Sequence, residues 1–376
     1  MKTWKRLISG LFALVLLASL AGSALAAEEA KKEAPKPAGQ FSQWFSEMGV
    51  NPEDPKASEA VLVKMGTVIN QTKTVGGETL TLNGAVWDGG SVRLSLTAKS
   101  PNLPKVVDQY TWLNSDGCTA RMPEAQWKAY VENKVERESG DLSKEKRDEW
   151  FQYLMEQGQG QMELNPGLGV VSREGDAVQL SASMILDAYL EKPEITLHIG
   201  NVEITGQGME QPGTRAGDYL LKGPFDFTFT LDQMLSAMGY TGGMPVTYGK
   251  VPLRITKVSI SPTGMSTSGA IDIQGPVNLV GQRTKPVSGG TNVDLDKDLK
   301  LALNGLWTKD GKYVDCTASR GATGVLTPAD NKNLSVNWSR HFPYPIDPAA
   351  VTAVDIGGTR VELAEQMSEA GRTAQG

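Results

Sequence analysis

Histidine and cysteine are nearly missing from this sequence, with two of each among 376 residues. That scarcity argues against a Cys/His zinc cluster: neither His198 nor His341 belongs to an HExxH pair, and no Cys stands at ligand spacing. Phosphate-binding loops are missing as well. No GxxxxGKS/T stretch occurs, and Gly158-Gln159-Gly160 and Gly206-Gln207-Gly208 lack the remaining glycine of a dinucleotide fingerprint. Gly264-Met265-Ser266 is not a nucleophile elbow, because Ser268 stands where the closing glycine belongs. Positive charge is not in excess either. The 37 Lys+Arg face 43 Asp+Glu for a net charge of -6, which argues against nucleic acid as a partner. An apolar share of 40% excludes a disordered chain and suffices for two domains, each with a core.

What is present begins with a leader. Lys2, Lys5 and Arg6 precede an apolar stretch from Leu7 to Leu20, and Ala24-Leu25-Ala26 follows with the small side chains a signal peptidase accepts. Residues 1–26 are therefore expected to be a cleaved signal peptide; retained, the same stretch is long enough for a membrane anchor. Residues 27–57 read as a charged, Ala/Pro-rich linker ending in a short helix that carries Phe41, Trp44 and Phe45.

From about Val61 the apolar period becomes two. Leu80 and Leu82, then Val92, Leu94, Leu96 and Ala98, flank Asp88-Gly89-Gly90, a hairpin signal because these turn residues tolerate positive φ. Further strands are expected over 178–186, 195–199, 202–204 and 225–231, each with one polar face, as in antiparallel sheets with a wet side. Trp127, Tyr130, Val131 and Val135, then Trp150, Phe151, Leu154 and Met155, recur at helical spacing and predict a helical hairpin over 123–157, with Ser143 or Asp141 as a cap. Residues 239–244, rich in glycine, read as a hinge, after which strands resume.

Two stretches look alike. Gly77-Glu78 before Leu80 and Leu82 matches Gly249-Lys250 before Leu253 and Ile255, and Asp116-Gly117-Cys118-Thr119-Ala120 matches Asp310-Gly311 with Cys316-Thr317-Ala318. Together they indicate tandem related β-domains. The expected fold is mainly β: two tandem immunoglobulin-like antiparallel β-sandwich domains, 58–238 and 245–364, with the helical hairpin inserted in the first and a tail at 365–376.

Val68-Ile69-Asn70-Gln71-Thr72, Gly77 to Leu82 and Trp87 to Leu96 resemble the opening of an uncharacterised immunoglobulin-like domain found outside the membrane in Gram-positive bacteria, often in anti-sigma-factor-like proteins. Val251 to Gly264 and the closing Ile346-Asp347-Pro348 with 351–363 are similar to its companion C-terminal domain. The leader stands where the regulators have a cytoplasmic segment and a membrane helix. The resemblance implies an extracytoplasmic fold and supplies no catalytic residues.

The remaining candidates for chemistry are few. Ile195, Leu197 and Ile199 share a face, so His198 should point to the wet side as a solvated residue, and His341 falls in a Pro-rich extended loop. Asn292, Asp294, Asp296 and Asp298 alternate, but a calcium loop fails for want of Gly and Glu at its sixth and twelfth positions. Tryptophans on a sheet face would bind sugar rings; Trp87 and Trp338 are weighed for this and assigned to cores. No catalytic, cofactor-binding or metal-binding residue is assigned. The expectation is a secreted or envelope-associated, non-catalytic binding or sensing protein whose ligand is an extracellular protein or glycan, with membrane contact only if the leader is kept. A polysaccharide-active enzyme using an unrecognised carboxylate pair, and a structural or adhesive module, are the alternatives. Cys118 and Cys316 are expected to stay unbridged, because equivalent positions in domains laid end to end are too far apart.

Overall fold

A computed structural model describes residues 39–363 except 102, 104–106, 109–110, 115–116, 159–160, 208–217, 249–250, 281–285, 295–302 and 327–333. The leader, the first part of the linker, the tail, Asp116, Lys250, Asp296 and Asp298 lie outside the described residues. The described chain is mainly β, with antiparallel sheets and four α-helices.

Two helices precede the first strand. Gln40–Trp44 (α1) runs through a 3-10 turn at Ser46–Met48 to Pro55–Lys64 (α2). Asp54 caps α2 by accepting from Ala57 N at 3.1 Å, and Pro55 suits its first turn. Val61 thus lies in a helix, and the strand period begins only at Gly66. Phe41, Phe45, Leu62, Met65 and Val86 make a small core of their own under these helices.

The first β body contains β1 Gly66–Val75, β2 Glu78–Trp87, β3 Ser91–Lys99, β4 Thr111–Asn114, β5 Cys118–Arg121, β6 Gln161–Glu174, β7 Ala177–Ile185, β8 Glu194–Ile199, β9 Val202–Gln207, β10 Tyr219–Leu221 and β11 Phe225–Thr230. One sheet has the order β1-β2-β3-β7-β6-β4-β9-β10, and a second runs β6-β5-β8-β11. Strand β6 belongs to both: residues 161–163 pair with β5, while the rest pairs with β7 and β4. The alternating apolar sets fill one core, with Leu80, Leu82, Val92, Leu94, Leu96, Phe225 and Phe227 all buried.

Two helices, Glu124–Glu138 (α3) and Lys144–Gly158 (α4), run between β5 and β6. Trp127, Tyr130, Val131 and Val135 enter the same core. Ser143 Oγ accepts from Lys146 N at 3.4 Å at the start of α4. Tyr189 locks α3 down: its ring meets Tyr130 edge-on at 5.3 Å and its hydroxyl donates to Glu138. Lys134 Nζ bridges Glu138 at 2.9 Å and Asp187 at 3.2 Å.

The second body pairs a sheet β12-β13-β14-β20-β19 with a sheet β18-β17-β21-β22. These are Met238–Tyr248, Val251–Ser261, Gly264–Ile271, Ser335–His341 and Gly321–Leu326 in the first, and Tyr313–Asp315, Leu303–Thr308, Val351–Ile356 and Thr359–Glu362 in the second. A parallel pair, β15 Val277–Val280 and β16 Thr291–Asp294, flanks them. The core holds Ile255, Leu306, Val336, Trp338 and Val354. At its corner the buried Arg340 donates through one Nη to the carbonyls of Cys316, Thr317 and Ser319 at 2.9, 2.9 and 3.1 Å.

Three expectations need correction. Residues 239–244 are not an open hinge but part of β12, laddered to β13 from Met238↔Ile260 to Tyr248↔Val251, with Gly242 and Gly243 inside a bulge. His341 ends a strand and does not lie in a loop. The cysteine match is not positional: Cys118 opens β5, whereas Cys316 follows β18. Both thiols are free, one in each core.

The bodies nevertheless share a plan. In each large sheet a three-strand meander is followed by a later strand and its hairpin predecessor, β1-β2-β3-β7-β6 beside β12-β13-β14-β20-β19; β6-β5-β8-β11 stands beside β18-β17-β21-β22. On this plan β2 corresponds to β13, in keeping with the first sequence match. The β2–β3 and β13–β14 turns meet each other where the bodies touch.

Candidate functional site

The contact between those turns is polar. Asp88 is 9% exposed and its carboxylate accepts from Gly90 N at 3.0 Å, Ser91 N at 2.7 Å and, across the junction, Thr263 Oγ1 at 2.8 Å. Gly89, at φ +83°, allows the tight return that aims both amides at the carboxylate. Lys64–Asp347 at 2.5 Å and Lys312–Glu53 at 3.4 Å tie the helical segment before β1 to the second body. Met48, Met65, Val86, Ser91 and Arg93 close around the joint and leave no space for a water molecule, so it is a seam and not a pocket. His341 sits beside it. Lost water contact first, then the charge of Arg93, hold its imidazole pKa below the usual value, while its bond to the Thr263 backbone opposes them. Much of the residue stays in solvent, which keeps that effect modest.

His198 is on the wet face, as expected, and it has a partner there. Its Nδ1 lies 2.8 Å from Asp226 Oδ1 on β11, and Thr119 stands opposite it on β5. Both members of the pair are exposed, at 41% and 63% of their side chains, so nothing fixes them tightly or excludes water around them.

The arrangement with most to offer a ligand is on the open face of the sheet β18-β17-β21-β22. Alternation sends Leu306, Val314, Val354 and Val361 into the core, so their neighbours Trp307 and Tyr313 face out. These two are cross-strand partners, with ring centroids 4.9 Å apart and planes tilted by 52°. Next along β17 comes Gly305, where a Cβ would stand 2.6 Å from Tyr313 Oη; the absence of a side chain lets the tyrosine ring lie across the strand. Tyr313 Oη donates to Asp355 Oδ2 at 3.1 Å, and Asp355 Oδ1 accepts from Asn304 Nδ2 at 3.2 Å and Gly358 N at 2.7 Å. Burial first, then the Asp355 charge, hold the phenol pKa well above its usual value, so it remains a proton donor. The Arg360 guanidinium lies over Trp307 at 4.8 Å and is tied to Glu362. Tyr313 remains 43% exposed.

Trp87 and Trp338, the two tryptophans weighed from sequence for a sheet face, are 0% and 1% exposed and belong to cores. Trp307 was the one to watch. The one signal for it in the sequence is its place in a strand directly after Leu306, which is apolar and inward. Asn292 and Asp294 end up on the short strand β16, and among the described residues no group of three or more His, Cys, Asp or Glu is placed to hold a metal ion. No described helix is long and apolar enough to cross a membrane.

No family model matches the chain, and no curated protein matches it. Among solved structures, the crystal structure of the conserved domain protein from Bacillus anthracis aligns with 79% of this chain and 78% of its own, at 11% identity and a TM-score of 0.35. A likeness at that level carries no argument about fold or activity.

Proposed function

We propose that this chain is an exported, non-catalytic binding or sensing protein of the cell envelope. On this reading its two bodies are tandem immunoglobulin-like domains, the first carrying α3 and α4 as an inserted hairpin, and they are relatives of the extracytoplasmic part of Gram-positive anti-sigma-factor-like proteins. The leader at 1–26 supports export, and the strand plan common to both bodies supports tandem descent. The observation that carries the binding reading is the aromatic pair on the open sheet. Aromatic side chains dominate recognition surfaces because they offer large, stiff contact area, and here Tyr313 keeps 43% of its surface in solvent beside a half-buried Trp307.

Sedimentation of the purified mature chain with isolated envelope fractions tests this. Saturable retention without release of reducing sugar is the expected result. Reducing sugar appearing in step with the protein concentration would make the chain an enzyme and overturn the proposal.

A further inference from the structure

We propose that the aromatic pair receives a neutral polysaccharide, with one pyranose ring of glucose configuration seated on Tyr313; this deepens, and rests on, the binding reading above. The geometry of the ring selects the ligand shape. The hydroxyl end of Tyr313 lies against Gly305 and its ring meets Trp307 at a tilt, while 43% of the residue stays exposed, which leaves the side turned away from the strand for a ligand. That face is fixed before any ligand arrives, because the hydroxyl is tied to Asp355 and Asp355 to Asn304 and Gly358. A pre-ordered platform avoids the cost of freezing side chains on binding. Trp307 is tilted by 52° from Tyr313 and carries Arg360 over its ring, so it does not extend the floor, which suits one sugar ring on Tyr313 more than a long flat run.

Chemistry selects the ligand class. A pyranose whose hydroxyls are all equatorial shows only C–H groups above and below its ring. Those hydrogens are slightly positive and meet the negative π face of an aromatic ring. Its hydroxyls radiate in the ring plane toward the rim, where Asp315 and Asp355 flank Gly305 on the neighbouring strands and Arg360 is balanced by Glu362. Bonds from Thr317, side chain first and then backbone, lower the pKa of Asp315 and keep it ionised, and ionised carboxylates accept from hydroxyl donors. The same excess of carboxylates repels phosphate-bearing or sulfated polymers. A neutral polyhydroxyl chain fits both the platform and its rim.

The test is calorimetric titration of the full chain with a β-1,4-linked glucose hexamer, in parallel with envelope sedimentation. Wild type should bind the hexamer, Tyr313→Ala should weaken it by about tenfold or more, and Tyr313→Phe should weaken it by less, because the ring survives and only its tie to Asp355 is lost. Thermal unfolding of both variants checks that this exposed position leaves the fold intact. Equal hexamer affinity in wild type and Tyr313→Ala would move the site elsewhere and overturn the proposal. No hexamer binding by a chain that still sediments with envelopes would refute the sugar and leave the binding reading standing.

Discussion

Replacing Thr263 by Val keeps its shape and removes the one hydroxyl that reaches from the second body to Asp88. Hydrogen bonds to a charged acceptor contribute about 1.5–3 kcal/mol when buried, and Asp88 is 9% exposed while Thr263 is half-buried, so a loss of about 1–2 kcal/mol is expected. Asp88→Ala removes more. It strips the acceptor from Gly90 N and Ser91 N as well and loosens the β2–β3 turn, for about 2–4 kcal/mol. The informative quantity is the double mutant. Once Asp88 is gone, Thr263→Val has nothing left to break, so the two losses should fall short of additive by about 1–2 kcal/mol. Calorimetric unfolding of the four proteins measures this, and the coupling should be visible in the transition of both bodies because the bond joins them. Strict additivity would show that the turns only lie near each other and that the seam is held by other contacts.

Three further outcomes are expected. Burial pushes the Cys316 thiol up to about 12 and raises Cys118 too, so neither should react with a thiol reagent in the native chain at neutral pH, while unfolded, unreduced protein should yield two thiols; titrating none after unfolding would mean that they had paired. Arg93→Ala should raise the His341 pKa, read by NMR titration of a chain with two histidines, and an unchanged value would remove Arg93 from its surroundings. Tyr130, Tyr189 and Tyr313 hold their protons more tightly folded than unfolded, so the stability they confer is complete below the ordinary phenol pKa of about 10 and is lost as pH rises through their higher folded values; alkaline unfolding curves of Tyr189→Phe should fall less steeply than those of wild type above that point.

Strands with strict alternation and a turn chemistry of their own were legible from sequence. Val92 to Ala98 after Asp88-Gly89-Gly90, and Phe225, Phe227 and Phe229, sit as their period implies. Strand β6 was not, because Pro166 and its neighbouring glycines read as punctuation; the sheet absorbs them as a break in register between Asn165 and Gly169. Gly242 and Gly243 misled in the same way, being a bulge in β12. Helix α2 escaped because a ten-residue helix with Val61, Leu62 and Val63 in succession has no clean helical stripe. At the aromatic site, alternation gives the two faces of β17 but not which one is wet; that depends on the opposing sheet, whose strands are far away in sequence. The Asp88–Thr263 contact, 175 residues apart, is beyond any local pattern.

The corner between the two sheets is made differently in each body, and that difference governs what each corner depends on. In the first, one continuous strand, β6, passes from sheet to sheet, so sliding one layer over the other means stripping a backbone ladder. In the second, the corresponding passage from β18 to β19 is interrupted at residues 316–320, which are held by backbone bonds from Cys316 N to Asn304 O and from His341 N to Arg320 O and by one Nη of Arg340 shared among three carbonyls. Removing that one guanidinium would release three carbonyls together, whereas no single side chain holds the passage of β6. The second body's corner therefore depends in part on a side chain that one substitution can remove, under the same sheet that presents Tyr313 to the solvent, whereas the first body's corner is built of backbone.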